Sequence, residues 1–173
     1  MNARPMRNVP ARLLAMLIAL VALALVTSSS ALASGKPTRV YAPIPPGITT
    51  PCTANVPLPF VVLIDVLRND EHAITFFDDA GNAVRQIIQG TLFVRFTNTT
   101  NGHSINVNIS GPGVITFMAD GSVIERFEGL SAIPIDGQLL LSRGAVTVLI
   151  LPDGSSHVVN NSAPLVDACT MLV

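Results

Sequence analysis

The stretch "GTLFVRFTNTTNGHSINVNIS", residues 90–110, decides the fold class. In its first half Leu92, Val94 and Phe96 share one face of an extended chain, while Phe93, Arg95 and Thr97 share the other. In its second half Ile105, Val107 and Ile109 point one way and Ser104, Asn106 and Asn108 the other. This alternation has the period of two that belongs to a strand with one buried face. Between the halves, "TTNG" supplies turn residues, with Gly102 free to take positive φ. The reading is an antiparallel hairpin.

The same grammar extends in both directions. Upstream, "FVVLIDV" is an apolar, β-branched run, and "AITFFDD" ends in a turn at Asp79-Ala80-Gly81-Asn82. "AVRQIIQGTLFVRFTN" is long enough for one bent strand, with Gly90 as its bulge or kink. Downstream, "VITFMA", "SVIERFEGL", "QLLLS", "AVTVLIL" and "SSHVV" are separated by Asp120-Gly121, Asp136-Gly137, Arg143-Gly144 and Asp153-Gly154. X-Gly pairs between β-rich runs are strong hairpin signals. The count is eight or nine short strands joined mostly by hairpins, an all-β antiparallel meander. A small β-barrel is expected, because closure removes exposed edges; a β-sandwich is the alternative. Only the terminal "PLVDACTMLV" could wind a helical turn or two.

The N-terminus carries a different signal. Arg4, Arg7 and Arg12 precede an apolar run from Leu13 to Val26, followed by serines and by Ala31-Leu32-Ala33. That is the layout of a secretory signal peptide, with cleavage expected after Ala33. The run is short for a membrane anchor, which needs roughly 20 apolar residues. No membrane span is expected once the leader is removed. Of the ten basic residues three leave with residues 1–33, so 140 residues remain, with 7 basic against 11 acidic side chains and a net charge of −4. The basic residues form no run, which argues against a nucleic-acid partner. One domain of this size can bury a real core.

Residues 34–51 hold Pro37, Pro43, Pro45, Pro46 and Pro51 and read as a mobile arm. A single β-domain is expected over residues 52–173. The two cysteines, Cys52 and Cys169, lie 117 residues apart. In an exported chain they can pair, closing the domain with one disulfide; free thiols or an intermolecular bond are the other possibilities. A zinc site is not expected, because zinc takes about four ligands and no histidine neighbours either cysteine.

Motifs that carry chemistry are missing. The chain has no G-x-S-x-G, H-E-x-x-H, phosphate-binding G-x-x-x-x-G-K-[ST] or C-x-x-C pattern. It has no tryptophan and one tyrosine, which disfavours sugar or single-strand nucleic-acid platforms. Asp153, Ser155, Ser156 and His157 sit too close together to line up as a triad. Asp78, Asp79 and Asn82 fit turn chemistry better than a calcium loop. No catalytic residue, metal or cofactor is assigned. A strand arginine pointing inward would need a partner or a polar cavity. Arg95 and Arg126, with His103 at the start of a strand, are therefore the expected ligand contacts.

The segment "GTLFVRFTNTTNGHSINVNISGPGVITFMADGS", with "LLLSRGAVTVLILPDG" and the terminal "DACTMLV", resembles a group of secreted actinobacterial proteins. That group shares a signal peptide, a G-T-L-x-V-x-x-T-N hairpin, here Gly90–Pro112, and a cysteine-containing end. The resemblance covers most of residues 52–173. It implies a secreted β-protein with one disulfide and implies no activity. The expected function is a secreted, non-enzymatic β-domain that binds a small apolar ligand or an envelope component. A cell-surface structural or interaction protein and a small-barrel enzyme of cyclase or isomerase type are the alternatives.

Overall fold

A computed structural model describes residues 36–173. The expected leader and its cleavage site lie outside the described residues. The described chain is all-β, with 14 strands and one terminal 3-10 turn, η1 (Ala168–Met171). Every strand pairing is antiparallel.

Most of these strands are halves of longer, bent ones. β3 (Phe60–Asn69) runs on into β4 (His72–Phe77), and β5 (Ala83–Gln89) into β6 (Leu92–Asn98). β7 (Ser104–Asn108) continues as β8 (Gly113–Phe117), and β9 (Val123–Phe127) as β10 (Ser131–Ile135). β11 (Gln138–Ser142) leads into β12 (Val146–Ile150), and β13 (Ser156–Asn161) into β14 (Val166–Asp167). Ahead of them come β1 (Thr38–Tyr41) and β2 (Ile48–Cys52). The six bent strands follow one another up and down, as the tight connections predict.

Their bends coincide, so the sheet forks. One half stays whole as a seven-stranded sheet in the order β1-β4-β5-β8-β9-β12-β13. The other half divides into a four-stranded sheet, β2-β3-β6-β7, and a three-stranded sheet, β10-β11-β14. The division falls between β7 and β10. Their continuations β8 and β9 remain paired, and the last bonds before the fork are Gly111 N–H to the Leu130 carbonyl at 2.6 Å and Glu128 N–H to the Pro112 carbonyl at 2.9 Å. A side chain at Gly111 would collide with the carbonyls of Glu128 and Leu130. A Cβ at Gly90, where φ is +145°, would collide with Asp70. These two corners need glycine because neighbouring backbones cross there with no room for a side chain.

Alternation along the three-stranded sheet feeds two cores. Ile133, Ile135 and Leu140 pack with Val146 and Val148, against Phe127, Ile150 and Val158 of the large sheet. Leu139, Ala132 and Leu141 face the opposite way and pack with Phe60, Val62, Leu92, Val94 and Phe96 of the four-stranded sheet. The small sheet is therefore apolar on both faces. Cys52, Ala168, Cys169 and Leu172, all 0% exposed, complete the second core.

Three expectations change. The sheets do not close into a barrel; the layering is that of a sandwich. Coincident bends fold the two arms of the fork face to face, which buries their apolar sides without a ring. The count of eight or nine strands rises to 14, because runs such as residues 83–98 cross from one sheet to another at a corner. The proline-rich segment 34–51 is not simply an arm: Thr38–Tyr41 pairs with Thr75–His72, and Ile48–Cys52 pairs with Ile64–Phe60. Its prolines permit this, since Pro43, Pro45 and Pro46 fall between the strands and Pro51 lies in the edge strand β2. The expected Cys52–Cys169 bond is present, with Cα atoms 5.6 Å apart.

Candidate functional site

Where the sheet forks, β7 and β10 stand apart and leave an open cleft of about 400 Å³. Asn106, Val107 and Asn108 of β7 form one wall, Leu130 and Ser131 the other, and Leu141, Ser142 and Arg143 the floor and rim. Apolar side chains thus alternate with hydroxyl, amide and guanidinium groups, a composition suited to binding.

Ser131 is the unusual member. It occupies the inward phase of β10, where Ile133 and Ile135 follow it, and is 5% exposed. Its hydroxyl Oγ is buried and has no hydrogen-bond partner among the described residues. Ser142, directly opposite it on β11, is satisfied: its Oγ donates to the Gly144 carbonyl and accepts from Gly144 N–H, both at 3.1 Å. A buried hydroxyl without a partner is costly, and few such groups occur in a folded chain. At the rim Arg143 is exposed and makes no ion pair among the described residues.

The expected ligand contacts do not converge. Arg95 lies on the outer face of the four-stranded sheet, in register with Asp65 and Asn106. Its Nε donates to Asn106 Oδ1 at 3.1 Å, so it props one wall of the cleft from behind. Arg126 is on the outer face of the large sheet and pairs with Glu128 at 2.9 Å. His103 is exposed in the β6–β7 turn, where its own N–H donates to Asn101 Oδ1 at 2.8 Å. None of the three lines the cleft. Ser131 and Arg143 carried no motif. The one available signal was a serine in the apolar phase of "SAIPI".

A second polar group sits on an apolar face. Register places Glu125 between Ile115 and Val148, with Val123 and Phe127 on the same side of its own strand. Half-buried there, its carboxyl is pushed up to about 7 by desolvation. His72 lies on the opposite face of that sheet, set by its pairing with Tyr41 and Gln89, and the two rings of Tyr41 and His72 meet edge to face at 6.2 Å. Glu125, His72, His103 and Arg95 are thus spread over different faces and sheets. The Asp78 oxygens are taken by Asn82, whose backbone and side-chain N–H groups donate at 2.7 and 3.0 Å. The same bonds hold that carboxyl below its usual range, as turn chemistry requires.

Family models, curated protein sequences and solved structures were compared with this chain, and none matches it. Among the described residues no helix is long and apolar enough to cross a membrane.

Proposed function

We propose that the chain is an exported, non-enzymatic binding domain and that the fork cleft is its ligand seat. The observation that carries this reading is the cleft's mixed lining, in which the Asn106 and Asn108 amides and the exposed Arg143 guanidinium stand beside apolar walls. Val107, Leu130 and Leu141 add the apolar lining that a ligand from the envelope or the medium would cover. Export, with cleavage after Ala33, is supported by the buried Cys52–Cys169 bond, which persists in an oxidising compartment.

The test is an amide and methyl NMR titration of the oxidised protein with fractionated envelope and culture-medium extracts. Shifts gathered at Val107, Leu130, Ser131 and Arg143, and a matching mass gain in the native mass spectrum, are expected. Fractions that leave those resonances in place, or move only the outer sheet faces, overturn the proposal. One specific observation favours the interaction-protein alternative: Val61 and Phe93, 41% and 36% exposed, lie on the outer face of the four-stranded sheet. Shifts confined to that face would select it.

A further inference from the structure

We infer that the cleft takes an extended peptide segment of another protein, added as a strand to the free edge of β7 and carrying an acidic side chain to Arg143. This rests on the cleft being the binding seat, and goes further by naming what sits there.

Backbone phase supplies the first observation. In the β6–β7 pair, Ile109 N–H bonds the Leu92 carbonyl and Asn98 N–H bonds the His103 carbonyl, each at 2.9 Å. Antiparallel pairing alternates, so these bonds fix which residues turn toward β6. With the register Phe96↔Ile105 and Val94↔Val107, Ile105 and Val107 turn inward. Ser104, Asn106 and Asn108 then direct their N–H and C=O groups away from the sheet, and β7 is its last strand. Asn106 and Asn108 are the two that line the cleft.

The second observation is how the neighbouring edges are treated. On β2, the other edge of the four-stranded sheet, Pro51 stands opposite Val61. The Val61 carbonyl turns away, to Thr99 N–H at 3.0 Å, so Pro51 lacks its donor on the solvent side. The β10 edge carries Pro134 in the equivalent place: the Asp136-Gly137 turn, with φ of +48° and +74°, makes Ile135 and Gln138 the bonded pair, which points residue 134 outward. Proline, lysine and inward charge are how edges are blunted against strand addition. β7, "SINVN", has none of these. An uncharged, unblunted edge of five residues, about 17 Å long, faces the cleft that also holds Ser131 and Arg143. Main-chain bonds from such an edge, with side-chain contacts beside it, are the ingredients of strand-addition recognition. Arg143 is the cationic group of the lining, and a guanidinium selects carboxylates.

The experiment uses the full chain, expressed with its own leader and recovered oxidised. A displayed library of random peptides is selected on it, and the enriched sequences are resynthesised with capped ends, so that only side chains carry charge. Enriched peptides are expected to carry Asp or Glu and to slow hydrogen exchange at the Asn106 and Asn108 amides. Asn106→Pro removes an outward donor without touching the β6–β7 bonds, and is expected to weaken binding about tenfold or more. Arg143→Gln should weaken acidic peptides and leave their Gln counterparts unchanged. Enriched peptides that move Ser131 but leave the Asn106 and Asn108 amides unprotected overturn strand addition and keep the cleft as a ligand seat. No enrichment, with envelope extracts also silent at the cleft, overturns both. Protection of β7 that grows with protein concentration in the absence of peptide assigns the edge to a second copy and overturns the heterologous partner.

Discussion

On one side of the fork the four-stranded and three-stranded sheets are tied together; on the other their edges stand apart. The tied side has the Cys52–Cys169 bond. Thr53 and Ala54 N–H groups also reach the Gly137 carbonyl at 2.8 and 3.1 Å, and the Asn98 and Asn101 amides hold the Leu172 carbonyl at 2.9 and 3.2 Å. The open side has an unblunted strand edge and an arginine with no ion pair among the described residues. Both sides solve the same packing problem, two apolar sheet faces brought together. Stability alone would close or blunt both. One side has been left in a state that a partner strand would complete, and the strength of the other makes that openness tolerable.

The largest effect is expected from untying the closed side. Cys169→Ser should cost about 2–5 kcal/mol in denaturant unfolding, because the bond closes a loop of 117 residues. Reducing the unmodified protein should cost the same, since the bond rather than the thiol is what acts. Equal stability with and without reductant would sink the idea that this side holds the fork. Leu172→Ala comes next, at about 3 kcal/mol, because the side chain is 0% exposed between the two sheets. Removing Val173, which is 56% exposed, should change stability by less than about 0.5 kcal/mol. A steep loss at position 172 and none at 173 would show that Leu172 itself makes the fastening.

How far this architecture can be read from the sequence depends on range. Alternation in "LFVRFTN" and "SINVN" gives the strands and their buried faces, because period two is local. The glycine turns give the up-and-down order for the same reason. Cys52 and Cys169 are legible because a chain with two cysteines has one internal pairing. The fork is not legible. It depends on where six bends line up across the sheet, and only Gly90 announces one of them. Proline misleads in residues 34–51, where Pro51 marks an edge strand rather than a free arm. The cleft eludes motif reading because its wall is backbone: Asn106 and Asn108 matter through N–H and C=O groups that every sequence has. Ser131 is visible only as a polar residue out of phase, and a ligand role for Arg95 and Arg126 depends on an inward-facing barrel position that these sheets do not provide.

The undivided half of the sheet gives a reference that should ignore both sides of the fork and respond to pH. Glu125 is pushed from the ordinary 4.5 to about 7 by burial, so between those values the native chain holds a proton that the unfolded chain has lost. Stability is therefore full below pH 4.5, falls as pH rises, and has lost this contribution above about pH 7. Part of the residue is exposed, so solvent screens the penalty, and about 2 kcal/mol is expected. Glu125→Gln should stabilise the protein by that amount at pH 8 and hardly at all at pH 4. A substitution that helps equally at both values would mean that shape rather than charge sets the cost.

The smallest effect carries the comparison furthest. Ser131 and Ser142 face each other across β10 and β11 at the mouth of the open side. Removing the satisfied hydroxyl, in Ser142→Ala, breaks its bonds to Gly144 and should destabilise by about 1 kcal/mol. Removing the partnerless one, in Ser131→Ala, deletes a buried polar group with no bond to lose and should stabilise by up to about 1 kcal/mol. Opposite signs at two positions of one residue pair cannot come from helix or strand propensity, which is the same for both. They separate a serine kept for the fold from one kept at the fold's expense. Two losses of equal size would place Ser131 among the structural serines.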